Sequence, residues 1–136
     1  MNTRKPTVLL AFVAGLSLTL SSHLHAELKS GQAALSVLGK PDFTNTIANG
    51  PTANEINLAE GVAVDPMTNK VFVADESNHR ILRFGVAAAY QTGAAAEAVF
   101  GQADFVSGLA NRGGAVAANT LNSPRSIFVD AAGRLW

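Results

Sequence analysis

Residues 59–84, AEGVAVDPMTNKVFVADESNHRILRF, alternate short apolar runs with polar clusters. The apolar runs at 61–64, 70–74 and 80–84 read as three consecutive strands. Asp65, Pro66 and Asn69 supply the turn at the first join and residues 75–79 supply it at the second. In the second run Val71 and Val73 fall on one side and Phe72 on the other, because successive side chains of a strand point to opposite faces. Apolar residues on both sides predict a sheet covered on both faces, which stacked sheets need and a solvated hairpin does not.

The pattern repeats. Residues 37–43 read VLGKPDF and residues 99–105 read VFGQADF, so Val37, Gly39, Asp42 and Phe43 match Val99, Gly101, Asp104 and Phe105 at a spacing of 62. Residues 56–65, INLAEGVAVD, then match 121–130, LNSPRSIFVD, at a spacing of 65: Asn57, Val64 and Asp65 pair with Asn122, Val129 and Asp130. NKVF at 69–72 resembles GRLW at 133–136 with one residue lost from the turn, which makes Phe72 and Trp136 equivalent packing positions. Residues 27–39 read equally well as a short helix or as the lead into a strand. The repeat decides for an outer strand near 35–38, and Gly31 argues against one long helix. The alanine-rich stretch 86–98, interrupted by Gly93, is expected to be a loop feeding a fourth strand near 96–100. Residues 108–120 read as a surface insertion between units; Arg112 and the Gly113-Gly114 pair lack the Lys-Ser or Lys-Thr that a phosphate-cradling loop requires.

The first 26 residues stand apart. Arg4 and Lys5 precede an apolar run of about thirteen residues, 8–20, and a short polar region leads to Ala26, the order of a secretory signal. The run is shorter than the roughly 20 residues that span a bilayer, so export without a stable membrane span is expected, although Leu24 sits where a cleavage site prefers a small residue. Removing 1–26 leaves 110 residues with eight basic and ten acidic side chains, a formal charge of −2. A nearly neutral chain without a basic cluster is a poor match to nucleic acid. There is no cysteine, which excludes disulfide staples and thiolate chemistry.

GVAVDPMTNKVFVADESNHRILRF resembles an NHL repeat, the strand-turn-strand-turn-strand unit of a β-propeller blade, and the trailing VFGQADF and LNSPRSIFVD resemble bacterial secreted proteins with several such repeats. The resemblance makes Asn78 and His79 the name-giving pair, Asp65 and Asp75 the residues closing the first and second strands, Arg80 the basic residue opening the third, and Asp130 the second copy of Asp65. It implies an all-β fold of four-stranded antiparallel blades. The organisation expected is a signal peptide at 1–26 and a partial propeller at 27–136, with repeat units near 56–100 and 121–136 preceded by an outer-strand segment near 35–43. That is about one and a half to two blades. Four blades of roughly 45 residues require about 180, and the pattern breaks inside a strand at Trp136. A truncated sequence is therefore expected, with assembly of several chains as the alternative.

Candidate chemistry is sparse. His79 is the only histidine after Ala26, and one histidine makes no His-rich metal site; the resemblance assigns it to the blade turn. Asp65, Asp75 and Asp130 have a calcium reading, but DPMTN does not follow the Asp-x-Asn-x-Asn-Gly loop, and turn capping or an Asp75–Arg80 pair is expected instead. Asp42, Asp104, Phe43 and Phe105 recur together and are expected to pack blade against blade. No catalytic residue, metal or cofactor is assigned. The resemblance favours a secreted or periplasmic scaffold or binding module, with a protein, peptide or glycan at the blade-edge loops and self-association through open blade edges. The alternative is a fragment of an extracytoplasmic propeller enzyme of lyase or lactonase type.

Overall fold

The computed structural model describes residues 29–47, 49–86 and 91–136. The leader expected at 1–26 lies outside the described residues, as do residues 87–90 of the alanine-rich connection. The chain forms two compact units, Met1–Gln32 and Ala33–Trp136. In the first, the described residues 29–32 make one turn, closed by Gln32 N–H donating to Lys29 O at 3.1 Å. Among the described residues no helix is long and apolar enough to cross a membrane.

The second unit holds one four-stranded antiparallel sheet in the order β1 (Ala59–Val64), β2 (Lys70–Asp75), β3 (Arg80–Val86) and β4 (Ala98–Phe100). Each strand pairs with its sequence neighbour, so short turns suffice to build the sheet. The β1–β2 turn closes with Asp65 N–H on Lys70 O at 2.9 Å and Asn69 N–H on Asp65 O at 2.8 Å. Asn69 takes the left-handed φ of 56° that this turn needs, a conformation asparagine tolerates better than most residues. The β2–β3 turn is a single 3₁₀ turn, Glu76–Asn78, ended by His79 at φ 52°.

The alternation in β2 divides the core into two layers. Val71 and Val73 join Leu82, Phe84, Ile56 and Ala96 on one face, while Phe72 joins Ile81 and Val129 on the other. Leu82 and Phe84 are fully buried, each contributing about 1.5–3 kcal/mol by leaving water. The second face is covered by the start of the next repeat: Leu121, Ile127 and Leu135 pack against it. Residues 128–136 begin their own hairpin, with a Val129–Leu135 bridge and reciprocal backbone bonds between Phe128 and Trp136. On the first face β1 is open, where Val62 and Val64 are exposed.

Two expectations need correction. The outer strand near 35–38 does not form; residues 33–44 are irregular and touch the 91–94 loop through one bond, Gly93 N–H to Val37 O at 3.2 Å. Its repeat counterpart becomes β4 by pairing with β3, whereas residues 35–38 lie in no strand. Asp42 and Asp104 do not bridge blades either. Asp42 Oδ1 accepts the backbone N–H groups of Thr44 and Asn45, and Asp104 Oδ1 those of Val106 and Ser107. Each carboxylate caps its own loop, as the short reach of an aspartate favours. Phe105 packs on the first core layer while Phe43 is exposed.

Candidate functional site

Asp75, Asn78 and Arg80 converge where β2 turns into β3. Asp75 and Arg80 face each other across the end of the two strands, and both side chains are fully buried with Arg80 Nε donating to Asp75 Oδ2 at 2.7 Å. Asp75 Oδ1 accepts the backbone N–H of Asn57 at 2.8 Å. Asn78 Nδ2 donates to both carboxylate oxygens at 3.0 and 2.9 Å. The rest of the guanidinium is used on backbone carbonyls: Nη1 on Phe105 O at 2.6 Å, and Nη2 on Thr52 O and Glu55 O at 2.9 and 2.8 Å. A buried ion pair is stable only when its remaining donors and acceptors are satisfied. Here the network does so, and it ties the β2–β3 turn to the incoming segment at 52–57 and the outgoing loop at 105.

His79 lies beside this network and takes no part in it. Its Nδ1 accepts the backbone N–H of Ser123 at 3.0 Å, so the imidazole joins the first repeat to the second. Ser123 and its repeat counterpart Leu58 both have left-handed φ, 48° and 65°. The same backbone shape thus recurs where each repeat enters its first strand.

Asp65 and Asp130 lie at the opposite end of the strands, each holding a tight turn. Asp65 accepts from Met67 N–H and the Thr68 hydroxyl; Asp130 accepts from Ala132 N–H, Arg134 N–H, Arg134 Nε and Trp136 Nε1. The Thr68 hydroxyl, with the Met67 amide, holds the Asp65 carboxyl below the usual carboxylate range. The Arg134 amide chiefly does the same for Asp130. A carboxyl depressed in the folded state stabilises the fold above its unfolded pKa, and that contribution is lost as pH falls through the folded value. The melting temperature is therefore expected to fall on acidification below about pH 4, with a smaller fall in Asp65→Asn; thermal melts of both proteins from neutral to acid pH check this. Among the described residues no group of three or more His, Cys, Asp or Glu is placed to hold a metal ion.

Beside the buried pair lie Gln102, to which the sequence assigned no role, and Arg112, which it weighed only against a phosphate-cradling loop. Gln102 is buried, and its Nε2 donates to the carbonyls of Asn78, His79 and Leu109 at 3.3, 3.0 and 2.9 Å. Arg112 donates from Nη2 to Gln102 O at 2.8 Å and from Nε to Gly101 O at 3.4 Å. Between the β2–β3 turn and the 103–112 loop is a cleft of about 490 Å³, with Pro51, Ala103, Val106 and Leu109 as apolar walls and Gln102 and Arg112 as polar ones. The signal for Gln102 was present in the sequence as the change from GKPDF to GQADF, a polar substitution inside an otherwise repeated motif.

The family model of the NHL repeat matches residues 57–84, the span from the Asn57 amide that caps Asp75 to the Phe84 ring at the centre of the first core layer. Comparison with curated proteins and with solved structures returned no significant match.

Proposed function

We propose, on the premise that residues 57–84 are an NHL repeat, that this chain belongs to a secreted or periplasmic β-propeller scaffold or binding module. Its ligand is a protein, peptide or glycan held by the blade-edge loops. The observation that carries the reading is the use of the repeat signature for structure. Asp75, Asn78 and Arg80 direct their hydrogen bonds to one another and to backbone, while the loop beside them borders an open cleft. Arg4 and Lys5 followed by the apolar run at 8–20 support export.

Two measurements test the two halves of this reading. Residues 1–36 fused to a phosphatase that works only outside the cytoplasm are expected to give activity, and a silent fusion removes the export half. The full-length protein probed on peptide and glycan arrays is expected to bind one class saturably, with binding kept in His79→Gln and lost when 106–112 is replaced by Gly/Ser. Silence on both arrays, together with turnover in a lyase or lactonase screen, would overturn the binding reading.

A further inference from the structure

We infer that copies of this chain associate head to tail, the Phe128 and Trp136 face of one copy covering the open Val62 and Val64 face of the next. The starting observation is a pair of exposed apolar faces, one on each repeat. Val62 and Val64 are 65% and 50% exposed on the first face of β1. Phe128 and Trp136 are 62% and 68% exposed. Their reciprocal backbone bonds make them direct cross-strand partners, which puts both side chains on one face. Large apolar side chains grouped on an exposed face mark a site of association.

The junction inside the chain shows what covers such a face. Ile127 and Val129 are the repeat counterparts of Val62 and Val64, and they pack on Ala63, Phe72 and Ile81 of the first repeat. Ala63 and Phe72 are cross-strand partners in β1 and β2, and their counterparts are Phe128 and Trp136. The chain therefore already holds one junction of this kind, and it leaves the counterpart of each side exposed.

The frame around the open face is built in the same way as at the internal junction. There Gly101 admits Leu121, which packs with Ile127 on the Phe72 layer, and the Phe100 ring stands 6.0 Å from the Phe72 ring. On the open face Gly39 admits Ile56, and Leu38, the counterpart of Phe100, packs on the same core layer as Ile56. What this face lacks is the aromatic surface opposite it. Side-chain size points to a second copy as the source. Val62 stands where the internal junction has Ile127, so the open face is shallower. Phe128 and Trp136 stand where it has Ala63 and Phe72, so the opposing face is bulkier. Bulk removed from one side returns on the other, as a well-packed contact requires. A contact between two different faces leaves one of each free on the pair, so it passes from copy to copy instead of stopping at a symmetric dimer.

Trp136 is the only tryptophan of the chain, so its fluorescence reports directly on this face. Light scattering of the full-length protein is expected to give a mass above that of one copy. Trp136 emission is expected to move to shorter wavelength as concentration rises, because the indole leaves water. Val62→Lys with Val64→Glu, which leaves Trp136 untouched, is expected to give the mass of a single copy and an emission that no longer moves with concentration. Phe128→Glu with Trp136→Lys, a pair of opposite charges on facing strand positions, is expected to reduce the mass in the same way. Each double variant keeps one intact face, so an equimolar mixture of the two is expected to form a pair of one copy each and nothing larger. A symmetric contact through Phe128 and Trp136 would survive Val62→Lys with Val64→Glu, and that survival overturns the proposal. A wild-type protein that melts cooperatively as a single copy, with constant emission at every concentration, overturns it too. If the Phe128 and Trp136 variant does not melt cooperatively, the Val62 and Val64 variant decides by itself. None of these outcomes bears on the peptide and glycan arrays, which test the ligand reading separately.

Discussion

Replacement of Asp75 by alanine is expected to destabilise the protein by about 3–5 kcal/mol, the loss seen when one partner of a buried ion pair is removed. The carboxylate is fully buried and takes hydrogen bonds from Asn57, Asn78 and Arg80. Its removal leaves a guanidinium in the core with no counter-charge, and two further donors with no acceptor. Arg80 cannot escape to water without releasing Thr52, Glu55 and Phe105, so the damage is expected to spread into the segments on either side of the sheet. Asp75→Asn keeps one acceptor oxygen and the side-chain volume, and is expected to fall between wild type and Asp75→Ala. Urea unfolding of the three proteins, with peptide and glycan binding measured below the transition, separates the alternatives. An unchanged midpoint accompanied by loss of binding would reassign Asp75 from the framework to the ligand.

Gly101→Ala is expected to cost about 2–5 kcal/mol, combining a left-handed backbone penalty of about 1–2 with overpacking of about 1–3. Gly101 has φ 88°, and a Cβ there would stand 2.7 Å from Leu121 Cγ and Cδ1. Gly39 repeats the arrangement at φ 77°, where a Cβ would overlap the Ile56 side chain. In both copies, then, a left-handed glycine admits the apolar residue that starts the next repeat segment. A double variant, Gly101→Ala with Leu121→Ala, tests this division of causes. It is expected to relieve the steric part and retain the backbone part, so the two substitutions should be clearly non-additive. Strict additivity in unfolding free energies would mean that Leu121 is not what the glycine accommodates.

The strands were legible because their cause is local. Alternation in KVFVAD and the turn residues Asp65, Asn69 and Asn78 place β2 and its neighbours within one or two residues of their observed limits. The two-layer core was legible for the same reason, since Val71 and Phe72 must point opposite ways in any strand. The outer strand at 35–38 was misjudged because the repeat transferred a sequence pattern without its hydrogen-bonding partner. A short segment becomes a strand only where a neighbouring edge can pair with it, and β3 offers its edge to 98–100.

The candidate site was half legible. Asp75, Asn78, His79 and Arg80 were visible as a cluster, and the four residues between Asp75 and Arg80 are compatible with a pair across a tight turn. Nothing in that spacing names the carbonyls of Thr52, Glu55 and Phe105, because a carbonyl carries no residue identity. Gln102 and Arg112 were less visible still: a glutamine in a repeated motif reads as surface until the three carbonyls around its amide are known.

By itself, the sequence determined the all-β character, the order of strands and turns, and the repeat frame that equates Gly39 with Gly101 and Asp65 with Asp130, all consequences of side-chain alternation and turn chemistry along the chain. Only the tertiary structure decided that the Asp75–Arg80 pair is wholly buried and satisfied, that the second repeat closes the Phe72 face, and that the Gln102 amide meets three carbonyls. Those outcomes depend on which distant backbone groups meet in space, and hydrogen bonding selects such partners by geometry rather than by residue type.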